Sequence, residues 1–192
     1  LPPYIKQPSQ LSYKNYQTIF AKKAGSVAAP TASFHFTKEL ISTIKERKVE
    51  MAYLTLHIGL GTFLPLKAEA IKNHKLHPEF FEINEETAQK INEAKENKKR
   101  VIAVGTTVVR ALEHCADNHL VVPQKGTTDL FIYPGYKFQI VDALITNFHL
   151  PKSSLLMLVC AFASKDLIFK SYKEAIEKKY RFFSFGDAMF II

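Results

Sequence analysis

The sequence predicts an α/β fold, a layered sandwich in which helices flank a largely parallel central sheet. Two observations predict it. Segments rich in β-branched and aromatic residues alternate with segments whose apolar residues recur at helical spacing. The 192 residues are also 47% hydrophobic, which provides enough apolar surface for one globular core. We therefore expect one α/β domain over residues 1–192, opened by a proline-rich, extended lead-in over residues 1–15.

The first half of the chain is expected to form three strands and two helices. The strands are predicted by the β-rich segments YQTIFAK (16–22), VEMAYLTLHI (49–58) and FFEI (80–83). Thr37 is the expected N-cap of the helix KELISTIKERK. Asn84 is the expected N-cap of EETAQKINEAKENKK, which has acidic residues in its first turn and lysines in its last.

The second half is expected to continue the alternation. The expected strands are RVIAVG (100–105), two or three within 128–148 around a turn at Pro134–Gly135, and DAMFII (187–192). The expected helices are TTVVRALEHCADN (106–118), the apolar LLMLVCAFA (155–163) and the amphipathic KDLIFKSYKEAIEKKY (165–180). Pro151 suits the first turn of the apolar helix. The strand ALIT that precedes it should lie at the centre of the sheet.

The overall charge and the cysteines indicate the surroundings of the protein. The formal net charge is +8, which favours polyanionic partners such as nucleic acid, although many solvated surfaces are equally basic. Cys115 and Cys160 lie in apolar helical patterns, which indicates buried free thiols in a reducing cytoplasm. The longest apolar run, 155–163, is much shorter than the ~20 residues of a membrane span. We therefore expect a cytoplasmic protein without a membrane partner.

Two segments place flexible or polar residues where a strand is expected to end, the edge at which α/β sheets bind ligands. In LHIGLGT, the loop Gly59, Gly61 and Thr62 lets the backbone approach a ligand, and a simple tight turn accounts for it equally well. In VGTTVVRALE, Gly105, Thr106 and Thr107 start a helix whose free N–H groups favour anionic or polar ligand groups. Arg110, one turn on, either contacts a ligand or pairs with Glu113 on the surface.

Two further segments carry candidate side chains. After the strand ALIT, Asn147 and His149 either face a ligand or make a turn and satisfy a core carbonyl. In KKYRFFSFGD, Arg181 beside Phe183 suits phosphate contact and base stacking, and core packing accounts for the aromatic residues as well. His74 and His77 have loosely metal-like spacing without a convincing further ligand, so no metal is assigned.

Seven stretches of the chain, in this order, resemble the S-adenosylmethionine:tRNA ribosyltransferase-isomerases of queuosine biosynthesis. They are LPPYIK, YQTIFAKKAGSVAAPTASFHFT, LTLHIGLGTFLPL, HKLHPE, VIAVGTTVVRALE, FIYPGYKFQIVDALITNFHLPKSSLLMLVCAFA and YRFFSFGDAMFI. The resemblance implies transfer of the ribosyl part of S-adenosylmethionine onto 7-aminomethyl-7-deazaguanine at the tRNA wobble position. The implied product is epoxyqueuosine, with adenine and methionine released, S-adenosylmethionine as co-substrate, tRNA as partner and no metal.

The same resemblance guides the expected roles. The loop at Gly59–Gly61 and the helix start at Gly105–Thr107 are expected to bind the ribose and carboxylate of the nucleoside. The reaction needs a base beside the sulfonium and an acid for adenine, and four residues are of suitable type: His57, His149, Glu113 and Asp187. For the extruded wobble base, Phe183, Asn147 and Arg181 are the expected contacts.

The chain departs from the family pattern in three places. Ser33–Phe34 stands where Gly-Leu is usual, and Leu76 where Met is usual. The family's N-terminal half, including a β-barrel-like domain, does not precede LPPYIK, so a fragment of a longer two-domain enzyme is expected. The alternative is a non-catalytic nucleotide- or RNA-binding α/β module, or an inactive fragment. No feature indicates an obligate protein partner.

Overall fold

The structure, a computed structural model, describes residues 16–59 and 76–192. The helices are a 3-10 helix Thr31–His35 and α1 Lys38–Glu46, α2 Glu85–Glu96, α3 Thr106–His114, α4 Ser154–Ala163 and α5 Lys165–Glu177. The strands are β1 Thr55–His57, β2 Glu79–Ile83, β3 Ile102–Val104, β4 Ala116–Asp117, β5 Leu120–Val121, β6 Gln124–Thr128, β7 Ala143–Asn147 and β8 Ala188–Ile191. The predicted mixture of helices and strands is confirmed, whereas the lead-in 1–15 lies outside the described residues.

The strands form two small sheets and a hairpin. One sheet has the order β3-β7-β8, with β7 parallel to β3 and antiparallel to β8. The other has the order β1-β2-β6 and is antiparallel throughout, and β4 pairs with β5. The prediction of a largely parallel sheet is therefore wrong, since β3–β7 is the one parallel pairing in the described part of the chain. The physical reason is that the connection from β3 to β7 contains strands of its own, which pair with each other or with β2.

Local errors in the sequence prediction have clear causes. YQTIFAK forms no strand, and within 49–58 the strand covers Thr55–His57 alone. Apolar, β-branched composition favours strands without specifying a partner strand, and residues 17–22 and 49–54 are irregular chain that is mostly exposed or half-buried. Pro151 lies in a turn before α4, whose N-cap is Ser153. The hydroxyl of Ser153 accepts a hydrogen bond from the backbone N of Leu156 at 3.1 Å, so the serine rather than the proline begins the helix.

Other expectations are confirmed. Thr37 caps α1 and Asn84 caps α2, each accepting a hydrogen bond from a backbone N–H in the first turn. The strand ALIT is part of β7, the central strand of its sheet. Both cysteines are free and buried, and burial raises the pKa of Cys115 to about 11. None of the described helices is long and apolar enough to cross a membrane.

The main core lies around β7 and α4. Leu144 of β7 and Val159 of α4 are fully buried, and Phe81 of β2 belongs to the same cluster. Because the middle of α4 and the strand β7 are both held in this core, the loop between them is anchored at each end. That loop carries the polar residues of the candidate site.

Candidate active site

A cavity of about 70 Å³ lies at the carboxyl end of β3 and β7 and opens to solvent. Its position agrees with the rule that such sheets bind ligands where parallel strands end. Among the described residues, no Asp, Glu, Lys or Arg lines it. The lining residues are Ala29 to Ala32, Leu56, Ile58, Val104 to Val108, Thr146 to Leu150, Ser153, Leu155, Phe183 and Ser184.

The turn from β3 into α3 forms one wall of the cavity. Gly105 has φ 98° and ψ 144°, a backbone conformation that residues other than glycine rarely adopt. Its backbone N donates to the carbonyl of Ile145 at 2.8 Å, which ties the turn to β7. As the N-cap, Gly105 has no side chain with which to satisfy the first N–H groups of α3. Thr106 and Thr107 follow directly and also line the cavity.

Asn147, at the end of β7, is held from both ends of its amide. His35 Nε2 lies 2.6 Å from the Asn147 Oδ1, and Asn147 Nδ2 donates to Thr31 Oγ1 at 2.8 Å. Because the amide oxygen accepts, Nε2 of His35 carries a hydrogen. The 3-10 helix supplies both partners, so a segment more than 100 residues away in sequence fixes this side chain in the cavity wall.

His149 is held in the interior by three contacts. Its Nε2 lies 3.0 Å from Thr146 Oγ1, its backbone N donates to the Tyr172 hydroxyl at 2.7 Å, and that hydroxyl approaches its carbonyl at 3.4 Å. Burial lowers the pKa of His149 to about 3, because the imidazolium would lose its hydration. At neutral pH the ring is uncharged, so it is a hydrogen-bonding group and a poor proton acceptor.

Phe183 enters the cavity wall from a tight loop before β8. Its φ is 68°, which is a strained value for a bulky side chain, and its N donates to the carbonyl of Phe148 at 3.1 Å. The loop is closed by Asp187, which accepts from the backbone N of Arg181 at 2.7 Å and from its guanidinium at 2.9 Å. These hydrogen bonds lower the pKa of Asp187. A Cβ at Gly186 would collide with the carbonyl of Arg181, so the loop needs glycine there.

Comparison with known proteins gives the family. The model of a family described as queuosine biosynthesis proteins matches residues 1–191. The chain belongs to this family. It is 62% identical over its whole length to the S-adenosylmethionine:tRNA ribosyltransferase-isomerase of Natranaerobius thermophilus, and 60% identical to that of Carboxydothermus hydrogenoformans. The resemblance of the chain to the S-adenosylmethionine:tRNA ribosyltransferase-isomerases is thus confirmed.

A solved structure supports the fold. It is the crystal structure of an S-adenosylmethionine tRNA ribosyltransferase from Thermotoga maritima, 46% identical, with a TM-score of 0.69. The match covers 84% of this chain and 51% of that one. The chain covers 56% of each of the two relatives named above, so it spans about half the length of the proteins it matches.

Two charged candidates of this family member lie away from the cavity. Arg110 Nη1 is 2.6 Å from Glu79 Oε2, and the guanidinium also donates to the carbonyls of Leu130 at 2.9 Å and Thr128 at 3.3 Å. Of the two roles that the sequence leaves open for Arg110, the surface pair with Glu113 is therefore wrong, since both side chains are buried and have separate partners. Glu113 accepts from the backbone N–H groups of residues 139, 140 and 141 at 2.9 to 3.0 Å.

The remaining candidates separate into three groups. His57 lies on β1 and packs against Phe80, with ring centroids 4.9 Å apart. It does not line the cavity, although its sequence neighbours Leu56 and Ile58 do. Arg181 and Asp187 pair with each other outside the cavity wall, and Gly59 does not contribute to that wall. Gly61, Thr62 and His74 lie outside the described residues. Gly105, Thr106, Thr107, Asn147, His149 and Phe183 are brought together.

Sequence reasoning missed several residues that shape this site. Thr31 and His35 orient Asn147, Thr146 contacts His149, and Ser184 lines the cavity. A histidine just after the run of small residues in SVAAPTASFHF was the available signal for His35. Nothing local in the sequence predicts that this segment contacts β7. In the described ranges, no group of three His, Cys, Asp or Glu side chains is arranged to hold a metal ion.

Proposed function

We propose that this chain is the part of a tRNA-modifying enzyme that contains the cavity where S-adenosylmethionine reacts. The reaction moves the ribosyl moiety of S-adenosylmethionine onto 7-aminomethyl-7-deazaguanine at the tRNA wobble position, gives epoxyqueuosine and releases adenine and methionine. The names of the relatives support the reaction class. The observation that carries the proposal for this chain is the convergence of Gly105–Thr107, Asn147, His149 and Phe183 on one cavity.

The lining chemistry suits a sulfonium nucleoside. A cation with organic substituents is stabilised by aromatic faces and neutral dipoles, and two aromatic residues, Phe148 and Phe183, line the cavity. The cavity opens to solvent, so in this proposal the tRNA reaches the bound S-adenosylmethionine through that opening. Asn147 offers an amide whose orientation is fixed, which suits the positioning of a polar ligand group.

The histidine in the cavity acts, in this proposal, by positioning rather than by proton transfer. A pKa of about 3 leaves His149 neutral throughout the physiological range, so it has no proton to give adenine. Its neutral ring holds Thr146 and the end of β7 in place. Of the other acid–base candidates, Asp187 keeps an ionised carboxylate through Arg181 and lies in the loop that carries Phe183. Neither Asp187 nor Glu113 lines the cavity, and each carboxylate already accepts at least three hydrogen bonds, so the base role is assigned to neither.

The test is turnover by the natural chain with S-adenosylmethionine and tRNA that carries the 7-deazaguanine precursor. We expect adenine and methionine in equal amounts, together with the modified nucleoside in digested tRNA. Asn147→Ala should lower turnover at least tenfold, because its amide is a positioned cavity group. Asn97→Ala, the same deletion at the far end of α2, is the matched control and should retain activity. Binding of tRNA without any release of adenine would favour the non-catalytic alternative.

A further inference from the structure

The start of α3 presents unsatisfied hydrogen-bond donors to the cavity. Gly105 cannot cap the helix, and no acidic residue lies in the first turn. The other four α-helices in the described ranges each have a Ser, Thr or Asn side chain that accepts from a first-turn N–H. The first N–H groups of α3 therefore have no acceptor from a cap, and the helix dipole gives them a partial positive charge.

Two threonine side chains add a second, independent observation. Thr106 is 5% exposed and Thr107 is 8% exposed, and both line the cavity. Neither hydroxyl takes part in any hydrogen bond of the described residues, although Ser153, which also lines the cavity and is equally buried, makes two. Because no other group of the described residues bonds to them, both hydroxyls are free to donate to a ligand, so acceptor oxygens at this point would engage two side chains as well as the backbone.

We propose that the start of α3 binds the carboxylate of the methionine portion of S-adenosylmethionine. The proposal rests on the proposed function for the identity of the ligand. N–H groups and hydroxyls at a helix N-terminus suit a small monoanion, and the absence of Lys and Arg from the described lining disfavours a phosphate that needs strong charge compensation. The same partial positive charge repels the sulfonium, which places that centre away from α3 and nearer Phe148 and Phe183.

Calorimetric titration with two ligands tests the carboxylate site. The natural chain is titrated with S-adenosylmethionine and with its decarboxylated analogue, which keeps the sulfonium and the nucleoside. We expect the analogue to bind about tenfold more weakly, as is typical when charge-assisted hydrogen bonds are lost. Equal affinity for the two ligands overturns the site and leaves the proposed function standing. If neither ligand binds, even with precursor tRNA present, both the site and the proposed function are wrong.

Variants locate the effect at the helix start. Thr107→Val removes the hydroxyl at nearly constant volume and should weaken S-adenosylmethionine about fivefold while leaving the decarboxylated analogue unaffected. Thr107→Ser restores a hydroxyl and should recover most of the lost affinity, and Thr127→Val, at an exposed threonine of β6, is the matched control. An equal loss for both ligands in Thr107→Val contradicts the assignment. Competition by inorganic phosphate but not by methionine would make this a phosphate site and also overturn it.

Discussion

His149 shows how one buried residue couples the site to stability. In the unfolded chain its pKa is near 6.5, whereas burial lowers the folded value to about 3. Below pH 6.5 the unfolded state therefore binds a proton that the folded state rejects, and the folded state loses stability as the pH falls toward 3. Above pH 7 both states are neutral at this position and the contribution vanishes. The neutral ring of His149 thus keeps the cavity lining uncharged, and its burial makes the folded state less stable at acidic pH.

This linkage predicts a pH-dependent difference between the natural chain and His149→Gln. From pH 7.5 to pH 5 the natural chain should lose about 2 kcal/mol of unfolding free energy that the variant does not lose, since each pH unit below 6.5 contributes about 1.4 kcal/mol. Urea unfolding at several pH values measures both proteins, and other titrating groups cancel in the difference. A constant difference across this range would show that the imidazole titrates alike in the folded and unfolded states.

Arg110 is a second residue whose environment determines its effect. It forms a buried ion pair with Glu79, in which the side chains are 4% and 2% exposed. Its guanidinium also donates to the backbone carbonyls of Leu130 and Thr128. Arg110→Ala should cost about 3–5 kcal/mol, because it leaves the carboxylate of Glu79 buried without the guanidinium. Replacing both residues, Arg110→Met with Glu79→Leu, should recover much of this loss. Urea midpoints measure both changes.

The control for this ion pair is an exposed one. Lys178→Ala removes the partner of Glu174 on the surface of α5 and should leave the midpoint nearly unchanged. If Arg110→Ala were equally harmless and instead abolished binding of S-adenosylmethionine, the ligand-contact role considered from the sequence would replace the structural one.

At the scale of elements, the junction of α4 and α5 combines a cap with backbone strain. Ser164 has φ 79° and ψ 148°, a region that favours glycine, and its hydroxyl accepts from the backbone N of Leu167 at 3.4 Å. Ser164→Gly should be as stable as the natural chain or about 1 kcal/mol more stable, since it relieves strain and loses little capping. Ser164→Ala should lose about 1 kcal/mol, because it keeps the strain without the cap. Thermal unfolding ranks the three, and alanine above glycine would contradict the reasoning.

Elements with their own local signals were predicted well. The capped helices α1 and α2, the helix α3 after Gly105 and the strand β8 all follow from side-chain patterns and caps. Prediction failed where packing decides, as in the irregular chain before Thr55 and in the pairing of β2 with β6, because hydrophobic composition does not specify a partner strand. The start of α4 was misplaced because Pro151 and Ser153 both carry start signals, and the serine provides the hydrogen bond.

At the scale of the whole molecule, the site residues that directly follow a strand could be predicted from the sequence. The residues that reach the site from a distant segment of the chain could not. Asn147 and the helix start at Gly105 could be placed at one sheet edge from the order of the elements. The partner His35 could not, because its contact spans the chain and depends on how the 3-10 helix packs against β7. The pairing of Arg110 with Glu79 was missed for the same reason, since charge alone does not reveal which of several carboxylates a buried guanidinium reaches.

The net charge of the molecule predicts how it binds tRNA. The protein has a formal net charge of +8, so binding of the proposed tRNA partner should be driven partly by counterion release. The affinity for tRNA should therefore fall as the salt concentration rises. For single-stranded contacts the slope of log affinity against log salt is roughly −0.7 per phosphate neutralised. Filter binding or fluorescence anisotropy measures this slope when it is repeated at about six salt concentrations between 50 and 300 mM. Affinity that does not change with salt would contradict an electrostatic tRNA site.

Arg181 refines this prediction, because its charge is already compensated. Its guanidinium is 75% exposed but pairs with Asp187 at 2.9 Å. Arg181→Ala should therefore change the salt slope by less than one full phosphate contact, whereas loss of an unpaired cation at a phosphate reduces it by ~0.7. Phe183→Ala should weaken tRNA at every salt concentration without changing the slope, since stacking on a base involves no counterions. A polyanion without bases is the control: it should bind with a similar salt slope but lower affinity. It should bind the natural chain and Phe183→Ala equally well. If tRNA bound no more tightly than this polymer, base contacts at the loop of Phe183 would be contradicted.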